Sequence, residues 1–168
     1  EFNIGIWPEY DNSGEVFGYF QIALNDSTKL PFKIQVTMPD YLKKVESAIF
    51  DKGKLEMIPI EINIIKENNI LDIDITSRRF YCQFYFTPFI NSNDGHRNIK
   101  YNFKIDKYLE QYKVSIQEQF GSRNFNSSIT DPNIRYDENK LKYYETELNN
   151  LKANTVYDIE VSYLNSSN

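Results

Sequence analysis

The chain has one histidine and one cysteine, which leaves few ways to build a catalytic centre. His96 lies in the turn formed by residues 94–97, and the sequence around it lacks the acid and the nucleophile that a catalytic base needs. Cys82 has the same parity as the apolar residues around it, which predicts a small buried hydrophobe rather than a reactive thiol. A disulfide within the chain is excluded, and we expect no transition-metal site.

Carboxylates are the next groups that could carry chemistry. Glu9, Asp11 and Ser13 place side-chain oxygens at alternate positions before Gly14, as in the first half of a calcium-binding loop. The bidentate glutamate of an EF-hand is replaced by Phe20, so the motif is not an EF-hand. The three residues are candidate ligands of a looser calcium site, with a hydrogen-bonded turn as the alternative. Calcium is the one cofactor that the sequence suggests.

A second pair of acids, Asp72 and Asp74, shares one face of a predicted strand at a spacing of roughly 7 Å, two residue rises. An inverting glycosidase could accept that spacing, although its two acids normally come from different strands or loops. Both acids alternate with apolar residues, which favours a solvated strand face. A carboxylate-dependent glycoside hydrolase is therefore the least favoured of the functions considered.

Aromatic side chains are unusually abundant, at 15% of the residues. Such rings fit a half-buried sheet, and they also stack on the apolar faces of sugar rings when they are exposed. Core packing and sugar binding explain the surplus equally well at this point. A carbohydrate-binding module is accordingly an alternative function, and it predicts that at least two of the candidate rings are coplanar and solvent-exposed on one face or rim. The candidate ligand-binding residues are Trp7, Tyr81, Tyr85, Tyr143 and Tyr144.

Alternation of apolar and polar residues with a period of two predicts an all-β fold, because successive strand side chains point to opposite faces. We expect a single antiparallel β-sandwich domain over residues 1–168, immunoglobulin-like or jelly-roll-like, with nine to eleven strands. Residues 41–51 also satisfy helical spacing, which predicts a short helical turn before a strand at 48–50. Residues 121–139 are polar and predict the longest loop. The clearest alternating stretches are 32–38, 60–64, 71–75, 80–86 and 99–105.

The charge pattern bears on partners. Nineteen basic and twenty-four acidic residues give a net charge of -5, and basic residues never cluster beyond adjacent pairs such as Arg78-Arg79. Nucleic acid is therefore an unfavourable partner. No stretch reaches the eighteen or so consecutive apolar residues of a membrane span. The start without methionine and the polar end at Asn165–Asn168 are typical of a processed or excised domain.

The segment Ile4–Asp11, with the following strand from Val16 to Leu24 and the stretch up to Pro39, resembles the opening of a group of uncharacterised bacterial exported proteins. In that group a Trp-Pro-Glu-aromatic-Asp sequence begins an extracytoplasmic β-rich domain, and a membrane helix typically follows it. The resemblance implies a domain tethered to the cell envelope, secreted or membrane-anchored, and implies no activity. We thus expect a non-enzymatic binding or structural module whose partner is a protein or glycan of the envelope. Any contact with the membrane is expected only through a tether outside residues 1–168.

Overall fold

Strands form all the regular secondary structure of the residues that the computed structural model describes, which are 1–50, 57–59, 63–65, 68–89 and 94–165. The all-β prediction is confirmed, with fourteen strands instead of nine to eleven. No helix in these ranges is long and apolar enough to cross a membrane. The strands are β1 (Phe2–Pro8), β2 (Val16–Ala23), β3 (Phe32–Thr37), β4 (Leu42–Phe50), β5 (Met57–Pro59), β6 (Asn63–Ile65), β7 (Ile70–Ile75), β8 (Arg79–Phe86), β9 (His96–Lys104), β10 (Leu109–Gln117), β11 (Arg123–Ser127), β12 (Asn133–Tyr136), β13 (Lys142–Leu151) and β14 (Val156–Leu164).

Eight strands form one large sheet in the order β12-β13-β10-β1-β2-β8-β4-β5. Every neighbouring pair is antiparallel except β1 and β10, which run parallel with Ile4 opposite Val114. The predicted antiparallel arrangement holds at the other pairs of this sheet and is wrong at this one. Parallel neighbours need a long connection, and β1 and β10 are far apart in the chain, so no local turn signal reports their pairing.

Two three-stranded sheets, β11-β14-β9 and β3-β7-β6, complete the strands. An isolated antiparallel bridge joins Val36 of β3 to Ile105, just after β9. Two hydrogen bonds strengthen this junction: Asp106 N–H donates to the Gln35 carbonyl at 3.2 Å, and Gln35 N–H donates to Asp106 Oδ1 at 2.8 Å. The two small sheets therefore meet side by side along β9 and β3.

One buried cluster receives side chains from the large sheet and from both small sheets. Aromatic rings link the large sheet to β9 at its centre: Phe2 lies 5.1 Å from Phe103, and Phe84 lies 6.0 Å from Tyr101, between ring centroids. All four side chains are fully buried. Aromatic burial of this kind dominates core energetics, so it fixes which face of the large sheet points inward.

The alternation is realised as the sequence predicts in several strands. In β7, Leu71 and Ile73 are buried while Asp72 and Asp74 are exposed. Cys82 of β8 is fully buried, which confirms the prediction of a small buried hydrophobe, and burial raises the pKa of its thiol. The predicted stretch 60–64 falls mostly outside the described residues.

The predicted helical turn at 41–51 is wrong, because residues 42–50 form strand β4 beside β8. Leu42 pairs with Phe86 and Lys44 with Tyr85, so a bulge adds one residue between them. The bulge brings Leu42 and Val45 to the same inward face at a spacing of three. That spacing is the one that imitates a helix in the sequence.

The predicted loop over 121–139 is also wrong, since it contains the short strands β11 and β12. Both lie at a sheet edge, and all four residues of β12 are exposed. Short polar edge strands are a common way of limiting edge-to-edge association. Strand β12 has no dry face, and β11 has only Phe125 packed against the core, so neither strand shows the alternation by which a strand is recognised in a sequence.

Gly18 provides a test of the tight packing between β2 and β8. A Cβ at this position would lie 2.4 Å from Phe84 Cε2 and Cζ, inside the buried cluster. We expect Gly18→Ala to lower the free energy of unfolding by about 1–3 kcal/mol, because an added methyl overpacks the core. Urea denaturation measures the change. Gln21→Ala, on the outward face of the same strand, should change it by less than about 0.5 kcal/mol, and equal effects of the two substitutions would contradict the described packing.

Candidate functional site

The outward face of the large sheet is aromatic where a solvated strand face is usually polar. Strands β1, β2, β8 and β4 are adjacent, and their registers align the outward side chains in three rows. The first row is Trp7, Phe17, Tyr85 and Lys44; the second is Gly5, Tyr19, Gln83 and Glu46; the third is Asn3, Gln21, Tyr81 and Ala48. On β8, Tyr81 and Tyr85 thus lie on either side of Gln83, and on β2, Tyr19 lies beside Gln21.

The rings of this face contact one another without interruption. Trp7 is the hub, with ring centroids 5.3 Å from Phe17, 5.6 Å from Tyr19 and 6.2 Å from Tyr143 of β13. Phe17 lies 5.3 Å from Tyr85. We call the following set the aromatic face: Trp7, Tyr10, Phe17, Tyr19, Tyr81, Tyr85 and Tyr143.

The aromatic face has a buried floor and an accessible surface. Phe17 and Tyr143 are only 9% and 5% exposed, whereas Tyr10, from the turn after β1, is 50% exposed. Trp7, Tyr19, Tyr81 and Tyr85 are half-buried. These half-buried rings are supported by their neighbours and still reach solvent. The exposure that the carbohydrate alternative predicts is only partly met, because Trp7, Tyr81 and Tyr85 are half-buried and Tyr143 is buried.

Gly5 determines where the Tyr19 ring lies. A Cβ on Gly5 would stand 2.2 Å from Tyr19 Cε1 and 2.6 Å from Cζ, so the ring occupies the space that any other residue would fill. Tyr19 therefore reaches across β1. The planes of Tyr19 and Tyr81 differ by only 20°, with centroids 6.2 Å apart.

A hydrogen-bonded chain of polar groups runs beside these rings. Tyr81 Oη donates to Gln83 Oε1 at 3.0 Å, and Gln83 Nε2 donates to Glu46 Oε2 at 2.7 Å. Lys44 Nζ lies 2.8 Å from Glu46 Oε1, and this contact is the main reason that the pKa of the Glu46 carboxyl is lowered. These hydrogen bonds orient the amide of Gln83 and hold Glu46 in its ionised form.

The far side of the face, on β12 and β13, is also polar. The buried Glu145 accepts a hydrogen bond from Arg135 Nε at 2.8 Å. The Arg135 guanidinium lies over the Tyr143 ring, 4.1 Å from its centroid. Gln117 Nε2 donates to Tyr143 Oη at 2.8 Å, and that hydroxyl donates to Asp137 Oδ2 at 2.9 Å. Tyr143 is thus held by Arg135, Gln117 and Asp137 and acts as a fixed border of the aromatic face.

The indole N–H of Trp7 is buried and finds no acceptor among the described residues. An unpaired buried donor costs roughly 1–3 kcal/mol in a folded protein.

Glu9, one of the predicted calcium ligands, is engaged in protein contacts. Its side chain is 1% exposed. Oε1 accepts from Gly14 N at 2.8 Å and Arg97 Nε at 3.4 Å; Oε2 accepts from Tyr163 Oη at 2.6 Å and Asn165 Nδ2 at 2.9 Å. Both oxygens are therefore saturated by donors. The carboxylate fastens the turn after β1 to β9 and the end of β14.

The other two predicted calcium ligands, Asp11 and Ser13, are exposed. Asp11 Oδ2 accepts a hydrogen bond from Tyr85 Oη at 3.0 Å, which connects the turn to the aromatic face. In the described part of the chain, no group of three or more histidine, cysteine, aspartate or glutamate side chains is placed to hold a metal ion.

The structure brings four of the five predicted ligand-binding residues together, namely Trp7, Tyr81, Tyr85 and Tyr143. Tyr144 lies apart, because adjacent residues of β13 point to opposite faces. Its ring stacks on Phe125 at 5.3 Å, and its hydroxyl donates to Glu118 Oε2 at 2.7 Å.

Sequence reasoning missed Tyr10, Phe17 and Tyr19. The last two have the parity opposite to Val16 and Phe20, which are buried in the core, so the alternation of β2 already assigns them to the outward face. Their meeting with Tyr81 and Tyr85 depends on the pairing of β2 with β8, which the alternation does not reveal.

The remaining chemical candidates lie away from this face. Asp72 and Asp74 are exposed on β7 in a small sheet, where Asp74 Oδ1 lies 3.8 Å from Lys33 Nζ. His96 is exposed at the start of β9. These positions agree with the solvated surface roles expected from the sequence.

No family model matches the chain, and no curated protein matches it.

Burial of the aromatic face should appear in the titration of its tyrosines. Burial, helped at Tyr85 by the hydrogen bond to Asp11, raises the pKa of Tyr81 and of Tyr85 to about 12. We expect the difference between the phenolate absorbance curves of the wild type and of Tyr85→Phe to centre near pH 12. A difference curve centred near the ordinary value of about 10 would contradict this geometry.

The same shift predicts the direction of alkaline unfolding. The folded state keeps the phenol protons longer than the unfolded chain, so their stabilising contribution is complete below about pH 10 and is lost as the pH rises toward 12. Urea midpoints measured across this range should fall with pH. The fall should be smaller in the double variant Tyr81→Phe/Tyr85→Phe.

The role of Glu9 can be tested against that of its neighbour. We expect Glu9→Ala to lower the free energy of unfolding by about 3–5 kcal/mol, because it removes the buried carboxylate on which the hydrogen bonds from Gly14, Arg97 and Tyr163 converge. Asp11→Ala removes an exposed carboxylate from the same turn and should cost less than about 1 kcal/mol. Urea denaturation measures both. If excess calcium raised the wild-type midpoint and Glu9→Ala abolished that rise, Glu9 would be a metal ligand instead.

Proposed function

We propose that this chain is a single β-sandwich domain and a non-enzymatic binding module, and that the aromatic face is its binding surface. The sandwich and the single domain are supported by the one buried cluster, to which the large sheet and both small sheets contribute. The observation that carries the function is the continuous set of seven aromatic rings on the outward side of the large sheet. Contiguous apolar surface outside the core is typical of interaction sites.

A binding role agrees with the acids of this face better than catalysis does. A general acid needs a raised pKa, whereas the pKa of Glu46 is lowered by its bond to Lys44. Glu145 is engaged by Arg135 at 2.8 Å. Asp72 and Asp74, the pair that suggested a glycoside hydrolase, lie on a small sheet away from the rings. We therefore do not carry the hydrolase alternative forward.

For the setting, we propose a secreted or membrane-anchored protein of the bacterial cell envelope, with a protein or glycan of the envelope as its partner. This part of the proposal is based on the resemblance of residues 4–39 to the opening of exported proteins. Trp7, Tyr10 and Asp11 lie in the segment that carries the resemblance, and all three take part in or border the aromatic face.

Cosedimentation with bacterial envelope fractions tests the proposal. We expect the wild type to sediment with an envelope fraction and Tyr81→Ala/Tyr85→Ala to bind at least about tenfold more weakly, because two ring contacts worth roughly 1 kcal/mol each are removed. Circular dichroism and the urea midpoint verify that the variant is folded.

The matched control is Tyr108→Ala/Tyr136→Ala, which removes two tyrosines that are 54% and 62% exposed outside the aromatic face. This variant should bind like the wild type. Equal loss in both double variants, or no sedimentation of the wild type with envelopes of Gram-positive and Gram-negative bacteria, would contradict the proposed function.

A further inference from the structure

Resting on the proposed function, we infer that the ligand of the aromatic face is an uncharged polysaccharide, with its sugar rings on Tyr19, Tyr81 and Tyr85 and its hydroxyls on Gln83, Glu46 and Lys44. The inference depends on how polar groups are distributed among the rings, because the rings by themselves would suit any apolar partner.

Rings and planar polar groups alternate on this face. On β8, Gln83 stands between Tyr81 and Tyr85 on the same face, at roughly 7 Å from each along the strand. Glu46 lies directly opposite Gln83 on β4. An amide and a carboxylate each offer two adjacent hydrogen-bonding atoms, which suit two neighbouring hydroxyls of a sugar. The rings beside them suit its apolar face.

The cations of this face lie close to carboxylates. Lys44 lies 2.8 Å from Glu46, and Arg135 and Lys113 lie 2.8 Å and 3.9 Å from Glu145. Each cation thus lies within 3.9 Å of a carboxylate, with Arg135 and Lys113 sharing Glu145. The whole chain carries a net charge of -5, which disfavours an acidic polymer. These charges favour an uncharged ligand.

A lipid surface fits this face less well than a glycan does. Membrane-surface binding uses an apolar face bordered by uncompensated basic residues. Here Gln83 and Glu46 interrupt the rings, and covering them with hydrocarbon would leave their free lone pairs and protons without partners, which costs roughly 1–3 kcal/mol for each group. A polyhydroxylated ligand replaces those hydrogen bonds.

An extended peptide also fits this face less well than a glycan does. Strands β2 and β8 are internal to the sheet, with β1 and β4 on their outer sides. Their backbone groups are engaged with neighbouring strands, so a peptide cannot bind here by adding a strand. A folded protein partner could still bind through side chains, and the experiment below distinguishes it.

The groups are also held in place before binding. Gly5 fixes the position of Tyr19, and the bonds from Tyr81 and to Glu46 fix the amide of Gln83. Few side-chain rotations are therefore lost on binding, which matters for ligands that gain little energy from each sugar.

The experiment uses affinity gel electrophoresis with soluble neutral polysaccharides as probes: a β-1,4-glucan, a β-1,3-glucan, a xylan and a galactomannan, with polygalacturonate as the acidic comparison. We expect at least one neutral polymer to retard the wild type, with no retardation by polygalacturonate. Gln83→Leu keeps the size and adds apolar surface, so it should weaken the retardation at least about fivefold while leaving the urea midpoint native. The matched control is Gln21→Leu, in the third row of outward side chains, and it should behave as the wild type.

A second readout uses the envelope fraction of the preceding experiment after periodate oxidation, which cleaves vicinal diols, or after protease digestion. Loss of face-dependent sedimentation after periodate supports the inference. Sedimentation that survives periodate but is lost after protease digestion, or a Gln83→Leu variant that binds as well as the wild type, overturns the glycan while the proposed binding function stands. A 1,3-linked glucan has no vicinal diols along its chain and resists periodate, so the gel experiment is the test for that polymer. Retardation by polygalacturonate alone, or by no polymer, also overturns it. If the wild type does not sediment with untreated envelopes, the proposed function itself fails.

Discussion

The packing of Phe2 and Phe84 of the large sheet against Phe103 and Tyr101 of β9 is the contact on which the rest of the structure depends. These rings are fully buried, so they fix the inward face of strands β1 and β8. Because side chains alternate along a strand, every other residue must then point outward. The aromatic face is the consequence: Trp7 and Tyr85 lie outside because their neighbours in the chain lie inside.

A buried carboxylate connects this core to the candidate site. Glu9 accepts hydrogen bonds from Arg97, Tyr163 and Asn165, and so attaches the turn that follows β1 to β9 and to the end of β14. The same turn carries Asp11, which is bonded to Tyr85 on the aromatic face. One residue that resembled a calcium ligand in the sequence thus positions a border of the proposed binding surface. The spacing of carboxylates identified an important turn, although it suggested a different chemistry for Glu9.

Sequence patterns predicted the strands well where one face is dry and the other wet, as in β7 with Ile73 buried and Asp72 exposed. They failed where another constraint altered the pattern. The bulge after Leu42 turned the period of two into a helix-like spacing, and the exposed edge strand β12 has no dry face to produce any period. The candidate site was predicted in part: Trp7, Tyr81, Tyr85 and Tyr143 meet on one surface, whereas Tyr144 points to the opposite side of β13.

The sequence by itself determined which residues share a face within one strand, such as Tyr81, Gln83 and Tyr85 on β8. That information is local, since the alternation follows from the backbone geometry of each strand. Only the tertiary structure decided which strands are neighbours: β2 lies between β1 and β8, and β10 runs parallel to β1. Strand order depends on contacts between segments that are distant in the chain, and many pairings satisfy the same alternation. The assembly of Tyr19 and Trp7 into one surface with β8 is therefore a property of the fold rather than of any single segment.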